Sequence, residues 1–230
     1  MNGDFGMFSA YLNGDLRYIV FERGYLRYMS KTVFKRKIYN EILEWKEKRS
    51  DKYALLIKGA RRIGKSTIAE EFAKNEFKSY ILIDFAHTSK AIIELFDDTY
   101  DLDFFFLQLQ QLTGVRLYKN ESVIIFDEVQ LCPKARQAIK YLVADGRYKY
   151  IETGTLLSIK KNTKDILIPS EEHKISMYPM DFEEFLWAIG DEMTAETIKV
   201  LLKAKKPAGN AMHRNLMRTF RLYMLIGGMP

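Results

Sequence analysis

Short apolar runs alternate with segments of helical spacing over most of this chain. The apolar runs lie at residues 53–57, 80–85 and 123–126, and two further strands of mixed residues are predicted at 148–152 and 174–178. They mix aromatic with aliphatic residues and are bounded by polar or turn residues, as buried strands are. Between them, apolar residues recur three or four positions apart, and parallel strands need helical crossover connections of this kind. The pattern therefore predicts an α/β fold with a parallel sheet that is buried on both faces.

The segments before and after this alternation differ from it and from each other. Residues 1–28 are rich in glycine and aromatic residues and show no clear period of 3.6 or 2, so no element is predicted there. One hypothesis is that Met29 is the true start, since Thr32 then caps a helix that carries apolar residues at helical spacing. After Pro179, Asp181 begins a capping-box sequence for a helix to about residue 189. Further helices are predicted over 194–205 and 211–226.

Composition narrows the class of protein. Hydrophobic residues make up 47% and charged residues 29% of the 230 residues, which excludes wholesale disorder. The formal net charge of +6 permits nucleic-acid binding but does not require it. No run approaches the roughly 18 apolar residues of a membrane span, and the N-terminus lacks the pattern of a secretory signal. The single cysteine, Cys132, cannot form an internal disulfide. We therefore expect a cytoplasmic protein without membrane association.

A glycine-rich sequence follows the first apolar run and precedes a helical segment. Residues 59–66 match the pattern of a phosphate-binding loop. Its two glycines let successive backbone N–H groups turn into one concavity at a helix N-terminus, where unpaired donors favour anions. We expect Lys65 to reach the β- and γ-phosphates of a nucleotide and the Ser66 hydroxyl to bind Mg²⁺. The predicted binding residues are Gly59, Ala60, Arg61, Arg62, Ile63, Gly64, Lys65, Ser66 and Thr67.

Two carboxylates end the third apolar run. A strand that presents Asp127 at its carboxyl edge beside the loop can hold the Mg²⁺ shell. Glu128 would then lie near the γ-phosphate, placed to orient and deprotonate water. A buried strand that simply ends in two solvated acids is the alternative. The position after the loop, with the predicted strand 80–85 between the two motifs, favours the functional interpretation.

The same features separate hydrolases from kinases. Small-molecule kinases with this loop usually lack both an inserted strand and a glutamate directly after the metal-binding aspartate. We take the strand at 80–85 as the added strand, and Glu128 as the glutamate. Water is therefore favoured over a substrate hydroxyl as the nucleophile, and a kinase remains the weaker alternative.

The fourth run leads into Thr153-Gly154-Thr155. In ATPases with an added strand, a polar residue at this tip contacts the γ-phosphate or the attacking water. We select Thr155 for this role, with Thr153 as second choice and a threonine-glycine turn without function as the alternative.

An arginine finger is expected in such enzymes, because the transition state gains charge that a guanidinium neutralises. Its usual place is between the fourth and fifth strands, but residues 156–173 contain lysines and no arginine. Those lysines are Lys160, Lys161 and Lys164. Three arginines at helical spacing in the C-terminal segment could sense a nucleotide, although a solvated basic face is the favoured interpretation; they are Arg214, Arg218 and Arg221.

Other features are interpreted as structural. Cys132 has no paired histidine and is predicted to pack in the interior, and the aromatic and leucine run at 104–112 is predicted to be a core helix. The histidines show no metal-ligand spacing. They are His87, His173 and His213.

Three segments together resemble the bacterial and archaeal AAA-type ATPases. They read Gly-Ala-Arg-Arg-Ile-Gly-Lys-Ser-Thr, Ile-Ile-Phe-Asp-Glu-Val-Gln-Leu-Cys-Pro and Ile-Glu-Thr-Gly-Thr-Leu. More specifically, the chain is similar to the prokaryotic group whose ATPase domain precedes a C-terminal domain of unknown function. The segments Ile-Pro-Ser-Glu-Glu, Met-Tyr-Pro-Met-Asp-Phe-Glu-Glu-Phe-Leu-Trp and Gly-Gly-Met-Pro carry that likeness, which covers about residues 30–230.

The resemblance implies a specific fold and site. It implies a sheet of order 5-1-4-3-2, a C-terminal helical lid and an ATP–Mg²⁺ site. By matching position, Lys65 and Ser66 contact phosphate and metal, Asp127 is the second metal contact, Glu128 the base and Thr155 the sensor. The expected division is an extension at 1–28, an ATPase core at 29–180 and a lid at 181–230, where members of the group continue into their further domain. Homo-oligomers and a DNA or protein partner are possible within this resemblance.

Two functions follow as hypotheses. The first is an ATPase that converts Mg-ATP to ADP and phosphate, with Asp127 holding the metal and Glu128 activating water. The alternative is a nucleotide-binding switch, or a truncated remnant, that binds ATP with little hydrolysis. The absence of an arginine between residues 156 and 173 motivates the alternative.

Overall fold

The computed structural model describes the backbone at residues 7–12, 15–22, 25–29, 33–155 and 170–230, and side chains at 33–155 and 170–230. The chain divides into two compact units, Met1–Val33 and Phe34–Pro230. Each is described by itself below. The boundaries expected at residues 29 and 181 and the role of residues 1–28 stay predictions, and Lys160, Lys161, Lys164 and Thr32 lie outside the described side chains.

The first unit contains a three-stranded antiparallel sheet where the sequence pattern predicted no element. Its strands are β1 (Met7–Leu12), β2 (Asp15–Glu22) and β3 (Tyr25–Met29). They pair in chain order, with Leu12 opposite Asp15 and Glu22 opposite Tyr25. The expectation that no element forms here was wrong, because the Asn13-Gly14 pair, a dipeptide that favours hairpins, was given no weight.

The second unit contains the predicted parallel sheet. Its five strands are β4 (Ala54–Gly59), β5 (Ser79–Asp84), β6 (Ser122–Asp127), β7 (Lys149–Thr155) and β8 (Glu172–Met177). They lie in the order β5-β6-β7-β4-β8 and are parallel throughout. Numbered within the sheet by chain order, this is the order 5-1-4-3-2 read from the opposite edge, so the predicted fold class and strand order are confirmed.

Helices connect and follow these strands. α1 (Ile38–Lys48) precedes the first strand of this sheet. The helices between its strands are α2 (Lys65–Glu76), α3 (Lys90–Glu94), α4 (Leu102–Thr113) and α5 (Pro133–Asp145). Three helices follow the sheet: α6 (Phe182–Ala188), α7 (Met193–Ala204) and α8 (Asn210–Ile226). Asp181 and Glu184 form the predicted capping box at the start of α6. None of the helices in the described part of the chain is long and apolar enough to cross a bilayer.

The added strand of the sheet is not the strand that the sequence pattern indicated. In the sheet, β7 lies between the loop strand β4 and the strand β6 that ends in Asp127. β5, which comes between these motifs in the sequence, lies at the sheet edge. Identifying the strand at 80–85 as the inserted one was therefore wrong, because neighbours in sequence need not be neighbours in a sheet with crossovers. The inserted strand itself is present.

The core consists of two apolar layers, one on each face of the sheet. One layer contains Leu56 and Phe126 with residues of α4 and α5, and Cys132 lies in it, 5% exposed, as predicted for a packing residue. Burial raises the pKa of its thiol. The other layer contains Leu55 and Ile125 with residues of α1 and α2. The helix α4 is core on one face only, since Phe105, Phe106 and Leu109 are buried while Phe104 and Leu107 are exposed.

A buried charged cluster lies on β7, β8 and α5. Arg136 donates from Nε and Nη2 to the two carboxylate oxygens of Glu172 at 2.8 and 3.0 Å. Lys174 Nζ lies 3.2 Å from Glu172 Oε2. Glu152 is fully buried beside them, and neither of its carboxylate oxygens has a hydrogen-bond partner among the described residues. Burial, together with the charge of Glu172, raises the pKa of Glu152 well above its usual value.

This raised pKa predicts how stability depends on pH. The pKa of Glu152 is higher in the folded protein than in the unfolded chain. Its contribution to folding stability is therefore fully present below the unfolded-state pKa and is lost as the pH rises through the folded-state pKa. Each unit of difference is worth about 1.4 kcal/mol. We expect Glu152→Gln to match the wild type near pH 4 and to be more stable near pH 8, measured by chemical denaturation at both pH values. A stability difference that does not change with pH would contradict this.

Candidate functional site

The candidate site lies at the carboxyl edge of the parallel sheet. Gly59 ends β4, Asp127 ends β6 and Thr155 ends β7, and Gly59 is paired in register with Thr155 and with Met177 of β8. Parallel strands bring their carboxyl ends to the same edge, where open α/β sheets bind ligands. The loop and the acidic pair are therefore neighbours in space, as the sequence predicted.

The loop at residues 59–64 has the backbone that its glycines allow. A Cβ on Gly59 would lie 2.4 Å from the Met177 carbonyl oxygen, so no larger residue fits. Gly64 has φ of 90°, in the left-handed region that favours glycine. Between them Ile63 is fully buried and anchors the loop, while Ala60, Arg61 and Arg62 are exposed. The anchored loop leads directly into α2, whose first N–H groups have no acceptor within the helix.

Lys65 is the first residue of α2 and is almost fully buried. Its Nζ donates to the Ala60 carbonyl at 2.7 Å, across the mouth of the loop. Burial lowers the pKa of Lys65, and the nearby carboxylates of Glu128 and Asp127 partly offset this. An ammonium held in this position faces the concavity of the loop, where an anionic group would replace the carbonyl as its partner.

Ser66 and Asp127 are in direct contact. The Ser66 hydroxyl donates to Asp127 Oδ1 at 2.6 Å, and the Thr153 hydroxyl donates to the same oxygen. Burial raises the pKa of Asp127, the two hydroxyl donors lower it, and the charges of Asp84 and Glu128 add to the rise. Two adjacent hard oxygen atoms beside a phosphate-binding loop are ligands that suit Mg²⁺.

Glu128 is held in an unusual conformation directly after the strand. Its φ is 52°, a left-handed value that few residues other than glycine adopt, and such strain is common at functional sites. Its N–H donates to the Thr153 hydroxyl at 3.2 Å, and its Oε2 accepts from Gln130 Nε2. The Thr155 hydroxyl lies 3.5 Å from the same carboxylate oxygen. The carboxylate is therefore fixed by protein donors at the edge of the loop.

Two residues that contact Glu128 were not first choices when the site was predicted from the sequence. Thr153 was the second choice for the strand tip, yet it contacts both Asp127 and the backbone of Glu128, whereas Thr155 makes one long contact. Gln130 was not selected at all, although its side chain is buried and holds Glu128. A glutamine two residues after an acidic pair carries no signal unless the short 3₁₀ turn at Val129–Leu131 is foreseen.

The remaining candidates lie away from these contacts. Thr67 lies in the first turn of α2, as expected for the end of the loop motif. The three arginines of α8 are exposed, and within the described residues they form no ion pair. Their exposure agrees with a solvated basic face; they are Arg214, Arg218 and Arg221.

Substitution of Thr153 and of Thr155 is expected to reduce activity to different extents. We expect Thr153→Val to lower the turnover of any reaction at this site by about 10- to 100-fold, because a hydrogen bond to a charged group is worth about 1.5–3 kcal/mol. We expect Thr155→Val to have a smaller effect, since its contact is longer. Steady-state turnover of both variants checks this. The reverse order would show that the strand tip acts through Thr155.

A family profile agrees with this architecture. The sequence profile of the AAA domain family matches residues 51–186. Among solved structures, the chain is similar to one described as C. elegans PCH-2, at 14% identity and a TM-score of 0.37, over 75% of this chain and 49% of that one. It is also similar to one described as an S. cerevisiae Hsp104–ADP complex, at 16% identity and a TM-score of 0.45, over 71% of this chain and 25% of that one.

The extent of these matches differs. The chain corresponds to about half of the length of the first structure and a quarter of the second. None of the curated proteins compared with the chain matches it. The family profile spans more than half of the chain and includes both the loop and the acidic pair. The chain therefore belongs to the AAA domain family of ATPase-type nucleotide-binding proteins.

Proposed function

We propose that this protein binds Mg-ATP at the loop and hydrolyses it to ADP and phosphate. The observation that carries the proposal is the contact of the Ser66 hydroxyl with the buried Asp127 carboxylate at the mouth of the loop. These two oxygens are the pair expected to hold Mg²⁺ in nucleotide hydrolases with this loop. Membership of the AAA domain family supports the same function.

The chain supplies the groups that such a reaction requires. Backbone N–H groups of the loop and of the start of α2 donate to the phosphate oxygens, and Lys65 Nζ donates to phosphate oxygens instead of to the Ala60 carbonyl. Bound Mg²⁺ would supply charge neutralisation at the phosphates. The Glu128 carboxylate, fixed by Gln130, orients a water and takes its proton as the water oxygen bonds to the γ-phosphorus and the bond to the β-phosphate oxygen breaks.

Nucleotide binding can be tested by thermal unfolding. A ligand that binds only the folded state raises its stability by RT ln(1 + [L]/Kd), so a concentration of about 100 times Kd adds about 2.7 kcal/mol. We expect ADP or ATP with Mg²⁺ to raise the unfolding midpoint by several degrees, and AMP, which lacks the β-phosphate that Lys65 contacts, to have less effect. No shift with either nucleotide at millimolar concentration would overturn the proposal.

A nucleotide-binding switch is the second candidate. Residues 156–173 contain no arginine that could neutralise the charge of the transition state. Such a protein would bind ATP and turn it over slowly. Phosphate release under multiple turnover distinguishes the two functions, since a switch releases less than one phosphate per protein over the time in which an ATPase completes many cycles.

The subfamily, cellular location, oligomeric state and partner of the protein are proposed from the sequence. We propose that the chain belongs to the prokaryotic group with a further C-terminal domain, that it acts in the cytoplasm and that it forms a homo-oligomer, as AAA proteins do. A DNA partner would rest on the +6 charge. If it binds DNA through phosphates, the logarithm of the affinity must fall steeply with the logarithm of salt concentration. Binding that is independent of salt would reject this partner.

A further inference from the structure

Arg36 is a buried arginine that none of the site chemistry above uses. It lies just before α1 and is 7% exposed. Its Nη1 donates to the Ile63 carbonyl at 2.9 Å, and its Nη2 donates to the Tyr178 carbonyl at 2.7 Å. The first acceptor belongs to the phosphate loop, and the second lies directly after β8. One guanidinium thus joins the loop to the connector at residues 178–181.

The same guanidinium is ion-paired to α6. Its Nε lies 3.3 Å from Glu184 Oε1, and Glu184 is 5% exposed. Glu184 in turn accepts from the Lys37 N–H at 2.7 Å and from the Asp181 N–H at 3.2 Å. A planar guanidinium with a fixed fork of donors holds these partners in one relative position, which a lysine cannot do.

The C-terminal segment at residues 227–230 reaches the same place. The Met180 N–H donates to the Gly228 carbonyl at 2.7 Å, and the Tyr223 hydroxyl donates to the Met180 carbonyl at 2.9 Å. A Cβ on Gly228 would lie 2.1 Å from that carbonyl, so the segment packs directly on the connector backbone. Pro230 Cγ lies 3.6 Å from the position a Cβ on Gly64 would occupy. The segment therefore contacts both the connector and the loop.

We propose that Arg36 is a positioning residue that couples nucleotide binding in the loop to docking of the C-terminal segment. This proposal rests on the proposed nucleotide-binding function. Phosphate binding draws Lys65 away from the Ala60 carbonyl and fixes the loop, and the bond from Arg36 to Ile63 transmits that fixed position to Tyr178 and Met180. Because coupling between two sites is reciprocal, docking of the segment strengthens nucleotide binding by the same factor.

The test combines nucleotide affinity with hydrogen exchange. The variants are Arg36→Lys, which keeps the charge and loses the fork, and Gly228→Ala, which displaces the segment without touching Arg36. Arg218→Lys, an exposed arginine of α8, is the matched control. Affinity for Mg-ADP is measured by calorimetry, and exchange is followed in peptides that contain the Met180 amide, with and without Mg-ADP.

We expect Mg-ADP to slow exchange at Met180 in the wild type and in Arg218→Lys. We expect both test variants to lose that protection and to bind Mg-ADP about tenfold more weakly, within the range of measured coupling between sites. A purely structural role for Arg36 would lower the unfolding midpoint yet keep the nucleotide-dependent protection. Far-UV circular dichroism checks that each variant folds, and if Arg36→Lys does not, Gly228→Ala carries the test alone.

The outcomes separate the two proposals. If the wild type binds Mg-ADP but Met180 is not protected, or a folded variant keeps both protection and affinity, the coupling is overturned and the proposed function stands. If the wild type does not bind nucleotide, the proposed function is overturned, and the coupling falls with it.

Discussion

Glu128→Gln is expected to stop ATP turnover while ATP still binds. General-base catalysis contributes about 10²- to 10⁴-fold, and an amide cannot accept the proton of the attacking water at neutral pH. Since the amide keeps the size of the carboxylate and can still be held by Gln130 and Thr155, the loop should keep its shape. We therefore expect turnover to fall by about 10²-fold or more, with an ATP affinity close to that of the wild type.

The matched control for this variant is Glu121→Gln. Glu121 precedes the same strand but is exposed and paired with Lys78 at 3.0 Å, away from the loop. We expect its turnover to equal that of the wild type. Steady-state phosphate release and calorimetric binding, measured on the same preparations, check both variants. Turnover unchanged in Glu128→Gln would reject Glu128 as the base even if the protein hydrolyses ATP.

Lys65→Ala is expected to abolish nucleotide binding. Lys65 is almost fully buried beside the phosphate concavity, and its Nζ donates to the Ala60 carbonyl of the loop. Hydrogen bonds to charged groups are worth about 1.5–3 kcal/mol each, so loss of its contacts should raise Kd about a hundredfold or more. Calorimetry with Mg-ADP measures this directly.

The same variant should remain folded. Burial lowers the pKa of Lys65, so the fold disfavours its charge, and removal of that charge offsets the loss of the bond to the Ala60 carbonyl. We expect the unfolding midpoint without nucleotide to equal or exceed that of the wild type. Lys74→Ala, in the last turn of the same helix, is the control and should bind normally. Tight nucleotide binding by a folded Lys65→Ala would place the phosphates elsewhere.

The parallel sheet could be predicted because its central strands β4, β6 and β7 are buried on both faces. Such strands are continuous apolar runs, as in the sequence of β6, and they contrast with the amphipathic crossover helices. The strands of the first unit were not predicted, because residues 1–28 show no clear period, although β2 contains the apolar run at 18–21. The Asn13-Gly14 pair between β1 and β2 was the available signal, since this dipeptide strongly favours hairpins.

The site could be predicted only where its residues are close in sequence. The loop and the acidic pair are local motifs, and the strand edge brings them together. The choice between Thr153 and Thr155 depended on register instead, because residues two apart on a strand share a face. Phe126 pairs with Glu152, which places the next residues, Asp127 and Thr153, side by side. Arg36 is more than 20 residues from the loop it holds, and no local pattern predicts that contact.

The most direct test of the central claim is ATP turnover in water enriched in ¹⁸O. If Glu128 activates water for attack on the γ-phosphorus, each released phosphate carries one oxygen from the solvent, and mass spectrometry of the phosphate measures it. We predict multiple turnovers with one labelled oxygen per phosphate in the wild type and no release above background in Glu128→Gln. Nucleotide binding without phosphate release, or transfer of unlabelled phosphoryl groups to an acceptor, would contradict the account.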